Sequence, residues 1–530
     1  MAKKQKGGSK RFLLTFLIFS LALMVSACAG AAQNPESAES GSPGPGTSGQ
    51  GASSQETKQP EKPTEISIMT VFYSQEPPDS NNVIWKEIEK RTNTKLDITW
   101  VSPNNYDEKA NVTLAGGDIP DLMYINNPSD PLVTQMAKQG AFWDLTDMVK
   151  NYPHLMEFPQ DVWIYTSIDG RNYGIPRVRN IDGNGFLNIR KDWLDNLGLE
   201  MPRTVDELYD VLYAFTHNDP DGNGKDDTFG VAVAGSNSGS FTEIESVFNA
   251  SSRWKAKDGK LIDTTLEPEM RQALEWQNRA FNDGIIQKDF AVTTRSQAIE
   301  MVQSGRAGMR ADSVDQSWPD TVELRKTNPE AEMLPLVSLI GPQGEYVNRT
   351  GGFFGYYVIP KSVPEEKVKK LLEFMDYGAS EEGHVLANFG FEGVHHNVIE
   401  GGIRVSTEQA VKDNVSQQVF GQIFIRFDKY QKAWFVGMPV EVYERNKKII
   451  DERAKVSIPD PAIGLISDTY LLVGKDYDQK IRDMKTKVIM GREPLEAWDA
   501  FVESLKNDAQ YQKIIAEMNE AYQKRLNQQK

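Results

Sequence analysis

From Ala29 to Pro63 the chain contains no Val, Ile, Leu, Met, Phe, Trp or Tyr. A segment with nothing to bury cannot offset its own ordering entropy, so these residues cannot join a core. The stretch divides the sequence into a short leader and a body of 467 residues, 64–530, which must supply every packed element. A body of that size exceeds what one core supports and calls for two lobes. The stretch itself reads as a tether with a reach of about 30 Å by random-coil scaling.

The leader, 1–27, opens with Lys3, Lys4, Lys6, Lys10 and Arg11 and no acid, and continues as an apolar run from Phe12 to Ala27. A basic start, a short apolar segment and small residues at its end describe a secretory signal rather than a spanning helix. It ends on Val25-Ser26-Ala27-Cys28, which resembles a bacterial lipobox, and Cys28 is the one cysteine of the chain. A single thiol builds no disulfide framework. Cys28 is therefore expected to be the lipidated first residue of the mature chain, with 28–63 as its tether. The chain is then anchored on the extracytoplasmic face of the cell membrane by its lipid alone.

Removing residues 1–27 takes away five positive charges and moves the formal charge from −16 to −21. That balance argues against nucleic acid or anionic lipid as partners, since both require a basic face. In the body, apolar alternation marks strands at 65–73, 96–100 and 121–125, with helices at 83–91 and 106–114 between them. A βαβαβ opening implies a largely parallel sheet, hence an α/β fold. Thr204 with Glu207, and Ser362 with Glu365, have the spacing of capping boxes. Helical stripes run over Leu208, Val211, Leu212 and Phe215, then over Val368, Leu371, Leu372 and Met375, and the C-terminal region reads as wholly helical.

Residues 219–228 read Asp-Pro-Asp-Gly-Asn-Gly-Lys-Asp-Asp-Thr. Asp219, Asp221, Asn223 and Asp227 offer side-chain oxygens at alternate positions, and the Lys225 carbonyl can turn inward. A hard cation such as Ca²⁺ takes six to eight oxygens in such a ring. An EF-hand needs Glu at loop position twelve, but Gly230 stands there. The same composition also describes a plain turn.

The chain further carries Gly117-Asp-Ile-Pro-Asp121, Tyr173-Gly-Ile-Pro176, Asn188-Ile-Arg-Lys-Asp-Trp-Leu194, Pro202-Arg-Thr-Val-Asp-Glu207 and Gly351-Gly-Phe-Phe-Gly-Tyr-Tyr-Val-Ile-Pro360. In this order, after a lipobox and a low-complexity tether, they resemble the family 1 extracellular solute-binding lipoproteins of ABC importers. The LipO and alginate-oligosaccharide-binding subgroup is the one they are most similar to. The resemblance implies a type II two-lobe fold with ligand held between lobes that close by hinge bending. It places chain crossings near Tyr173–Phe186, Arg349–Pro360 and Gly393–Gly402. Lobe 1 would then be 64–180 with 351–400, and lobe 2 would be 181–350 with 401–530.

The family also implies structural calcium in the 219–228 loop, with Asp227 bidentate and Thr228 standing where some relatives have an acid. Its partners would be the transmembrane permease subunits, and its cargo an oligosaccharide, either neutral or acidic. A peptide is the rival ligand. A glycan-degrading hydrolase is the rival class, although no Gly-x-Ser-x-Gly, P-loop or His-Glu-x-x-His occurs.

Sugars present C–H faces to aromatic rings and hydroxyls to planar polar groups. The residues that combine such chemistry with the expected crossings are Arg177, Arg179, Arg349, Phe353 and Phe354. Trp318 and Trp434, in polar settings, join them as candidate stacking surfaces.

Overall fold

The computed structural model of the chain describes residues 62–74, 76–235 and 239–528. Cys28, the leader and most of the tether lie outside the described residues.

The first sheet is built as the alternation suggests. β1 (Thr64–Val71) pairs in parallel with β2 (Thr94–Val101) over its whole length, and with β3 (Leu122–Ile125) on its other side. α1 (Val83–Thr92) links β1 to β2, and α2 (Pro103–Gly116) links β2 to β3. The Asn82 side chain accepts from the Ile84 and Trp85 amides and so starts α1; Pro103 opens α2. The strand Phe353–Val358 then inserts antiparallel between β3 and β4 (Gly174–Val178). A second sheet centres on β5 (Phe186–Arg190), antiparallel to both Met309–Asp312 and Met333–Pro335.

Two large hydrophobic cores lie under these sheets and share no residue. The first gathers Ile66 to Val178 with Tyr356 to Ile425, and the second gathers Leu187 to Leu339 with Val488 to Val502. The α/β two-lobe fold is thus what the sequence forms, and the chain passes between cores three times, at 179–185, 350–352 and 428–432.

Three expectations are corrected by this packing. Ala410, Val415, Val419, Phe420, Ile423, Phe424 and Ile425 belong to the first core, so 401–427 packs with lobe 1 rather than lobe 2. The third crossing follows Phe427, not Gly393–Gly402. The latter segment holds a hairpin, His396–Val398 with Arg404–Ser406, and Gly401 and Gly402 serve its turn at φ 79° and 74°. Ser362 caps nothing: the helix Glu365–Ala379 has Pro364 at its N-cap, because a residue preceding proline is kept out of the helical region. The Thr204–Glu207 capping box forms as read.

The first two crossings are bonded side by side. The Arg179 amide donates to the Gly352 carbonyl at 2.7 Å, and the Thr350 amide to the Ile181 carbonyl at 3.3 Å. Val347–Arg349 pairs in parallel with Ser457–Pro459, adding a fourth strand beside them. A few linker residues can absorb hinge motion while the lobes stay rigid.

Candidate functional site

The site grows from an irregularity in one strand. Gly355, at φ 78°, lies so close to the Ile125 carbonyl that a side chain would overlap it, and the ladder with β4 shifts register between Phe353 and Tyr356. A bulge of this kind re-aims the residue beside it. Phe354 is turned out and is 58 % exposed, whereas Phe353 packs partly against the first core. The Phe354 carbonyl accepts the Tyr124 hydroxyl at 2.7 Å, fixing that ring beneath the site.

Arg177 and Arg179 leave the end of β4 at this place. Buried Arg177 donates to the Tyr124 hydroxyl at 3.1 Å and lies over that ring at 5.1 Å, while its Nε has no partner. Arg179, half-buried, lies over the Phe354 ring at 5.5 Å. Burial, and next the charge of Arg177, pull the Arg179 guanidinium down to about 10. No carboxylate is bonded to either guanidinium among the described residues.

His384 is half-buried nearby and held down to about 4 by desolvation, with Arg426, Arg404 and Arg179 adding to the effect. Arg426 is half-buried and Tyr73, at the end of β1, is 50 % exposed. Residue patterns alone did not single out Tyr73, Tyr124 or Arg426. An unpaired charge is defined by what is absent around it, and only the tertiary fold decides that.

Arg349 differs from its two companions. Its guanidinium donates to Asp161 on the short helix Gln160–Tyr165 at 2.6 Å, so its charge is already matched. Trp318 and Trp434 are half-buried on the second lobe. Trp318 lies 5.9 Å from the Arg325 guanidinium, and Trp434 meets Tyr443 edge-on at 5.8 Å. The segments that carry them are drawn together by Lys432, 3.7 Å from Asp315 just before the helix Ser317–Leu324, and Lys432 also packs on Gly183 in the first crossing.

The 219–228 loop is folded around Asn223. Its amide donates to Asp221 at 2.8 Å and to Asp227 at 3.2 Å, while Asp219 accepts from the Asn223 and Gly224 amides. Asp219 takes φ 49°, and Gly222 and Gly224 take 67° and 76°, which curls the loop. Burial, and then the nearness of Asp219 and Asp227, push the Asp221 carboxyl above its ordinary value. Carboxylates bridged by one side-chain amide carry the oxygen donor chemistry that a hard cation takes. Thr228 is buried with its hydroxyl donating to the Phe215 carbonyl at 2.7 Å, so that side chain serves the preceding helix. Among the described residues no three His, Cys, Asp or Glu side chains are already gathered as a metal cluster.

Comparison with known proteins gives the setting of this geometry. A family model described as bacterial extracellular solute-binding protein matches residues 74–384. The chain is 32 % identical over 524 residues to the polygalacturonan/rhamnogalacturonan-binding protein YtcQ of Bacillus subtilis (strain 168), covering 97 % of this chain and 99 % of that one. It is 31 % identical over 472 residues to lipoprotein LipO of the same organism, covering 86 % and 92 %. The solved structure of alginate-binding protein AlgQ2 without calcium ion has the same fold. Its TM-score is 0.65 at 21 % identity, covering 87 % of this chain and 98 % of that one.

Proposed function

This chain belongs to the family of bacterial extracellular solute-binding proteins, and from that premise we propose that it captures an acidic oligosaccharide between its lobes. It is the oligosaccharide-binding subunit of an ABC importer, working with the permease subunits, and not an enzyme.

The acidic character rests on one observation, the Arg177–Arg179 pair set beside exposed Phe354 with no carboxylate among the described residues bonded to it. Desolvated guanidinium groups without counter-charges favour an anion, and a uronate offers a planar carboxylate for bidentate pairing. The Phe354 ring and the half-buried Trp318 and Trp434 supply faces for the C–H surfaces of sugar rings. The relative named for polygalacturonan, a polymer of uronic acid, supports the same reading. Titration calorimetry with oligogalacturonides, neutral glycans and short peptides tests it. Oligogalacturonides are expected to bind tightest. Equal affinity for neutral glycans would remove the acidic part, and binding of peptides alone would overturn the carbohydrate reading.

We propose that calcium occupies the 219–228 loop, held by Asp219, Asp221, Asn223 and Asp227 side chains with the Lys225 carbonyl. Bound there, the ion supplies stability by mass action and takes no part in ligand chemistry. Chelator should lower the melting temperature, and Asp227→Ala should abolish that response. An unchanged melting curve in chelator, from protein purified free of metal, would retire the idea.

Cys28 is proposed to carry the lipid that holds the chain at the membrane, and the tether keeps the body at high effective concentration near its permease. A fatty-acid probe should label the wild type and leave Cys28→Ala unlabelled. Equal labelling of both would sink the assignment.

A further inference from the structure

The lobes also meet away from the three crossings. The C-terminal helix, Ala509–Gln528, is rooted in the second lobe. There the Tyr511 hydroxyl donates to Asp263 at 2.7 Å, and the Asn519 side chain bonds both backbone groups of Leu261. Its last turns leave that packing and reach the first lobe. Lys524 Nζ lies 3.0 Å from Asp169, whose other oxygen is 3.5 Å from Lys138. Asp169 and Gly170 form the tip of a turn closed by two backbone hydrogen bonds between Ile168 and Arg171, and the Gln528 side chain lies against Gly170.

Nearer the crossings the contact is tight rather than ionic. Arg525 donates to the carbonyls of Pro461 and Ile463, just beyond the strand Ser457–Pro459. Gly464 is pressed on the Tyr165 carbonyl with no room for a side chain. Between this close contact and the Lys524–Asp169 pair runs a groove of about 940 Å³, with Trp163 and Asn172 among its first-lobe walls and Leu465 and Glu520 among its second-lobe walls. One end is wedged, the other is held by the long-armed Lys524–Asp169 pair with Gln528 against Gly170, and protein does not fill the space between. Rigid-body motion of one lobe on the other therefore changes the Lys524–Asp169 distance first.

We propose that the Lys524–Asp169 pair is a latch that sets how the ligand-free lobes rest against each other. It thereby sets the fraction of molecules ready to take ligand. The inference rests on the two-lobe capture reading, but its test needs no ligand, so the two fail separately. Ligand affinity scales with the fraction of the competent arrangement, so a small bias at a surface pair has a functional reading.

The experiment uses the full chain with Cys28→Ser and spin labels on cysteines placed at Val112 and Val292. These residues are 63 % and 80 % exposed, one on each lobe. The interlobe distance distribution is then measured by pulsed electron resonance without ligand. Lys524→Glu sets two acids face to face and should change the ratio of arrangements roughly fivefold, the scale of a surface pair. Adding Asp169→Lys restores an opposite-charge pair and should reverse most of that shift. High salt should move the wild type in the direction of Lys524→Glu, because it screens exposed charges. A distribution unmoved by Lys524→Glu, or a shift that Asp169→Lys leaves in place, overturns the proposal.

Discussion

Arg179→Ala is expected to weaken oligogalacturonide binding roughly ten- to hundredfold, the worth of one hydrogen-bonded ion pair to a charged ligand. The ligand-free protein should at the same time become slightly more stable. Both effects follow from the same electrostatics. Arg179 is desolvated and beside Arg177, and its guanidinium is pulled down to about 10, so the fold holds that charge at a cost. Arg349, by contrast, has its charge matched by Asp161. Arg179→Lys should fall between wild type and Ala, since a point charge replaces a planar fork. Calorimetry gives the affinity and a denaturant titration of the unliganded protein gives the stability. Loss of stability and affinity together would make Arg179 a structural residue and end its role in the site. Affinity lost equally for neutral and acidic glycans would keep Arg179 in the site but remove the carboxylate from the ligand.

What the residues reveal before folding is set by the range of the interaction. The βαβαβ opening depends on alternation within a few residues and on caps such as Asn82, so its elements stand within two or three residues of their expected ends. Thr204 and Glu207 cap each other across three residues and behave as read. The capping pair at Ser362 fails because Pro364 overrides it locally. The third crossing lies beyond the Gly393–Gly402 segment where the resemblance sets it, because Gly393, Gly401 and Gly402 shape turns within lobe 1. The chain crosses instead on Asp428-Lys-Tyr-Gln-Lys432, which has no glycine.

The candidate site is legible in the sequence only in outline. Arg177, Arg179 and Arg349 look alike in sequence, and what separates them is Asp161, 188 residues before Arg349. Phe353 and Phe354 are adjacent and of one type, yet the bulge at Gly355 half-buries one and exposes the other.

Arg453→Met should cost about 3–5 kcal/mol of stability, the usual penalty for removing one partner of a buried ion pair. Arg453 ends the helix Val440–Arg453 and is 3 % exposed. It donates to Val337 at 3.0 Å, to the Gly185 carbonyl and to Glu243 at 3.0 Å, with its guanidinium over the Phe186 ring at 4.2 Å. It thus fastens the second-lobe end of the first crossing, where Gly185 at φ 73° has no room for a side chain beside the Glu243 carboxylate. Burial pushes Glu243 up to about 7 and pulls the Arg453 guanidinium down, so mutual attraction only partly offsets their desolvation. That imbalance predicts a rescue: Glu243→Met with Arg453→Met should recover most of the loss, because an apolar pair needs no desolvation.

It also gives a sign for pH. The folded value of Glu243 lies above its ordinary 4.5, so the carboxyl's contribution is full below about 4.5 and is lost as pH rises toward about 7. Without Arg453 the carboxyl loses the cation that restrains it, and the decline should extend to higher pH. Denaturant titrations of wild type, Arg453→Met and the double variant between pH 5 and 8 measure all of this. If Arg453→Met stayed within about 1 kcal/mol of wild type, the range of ordinary surface changes, the pair would not be what fastens the crossing. A double variant no better than the single would show instead that the hydrogen bonds to Gly185 and Val337, and not the charge pair, carry the stability.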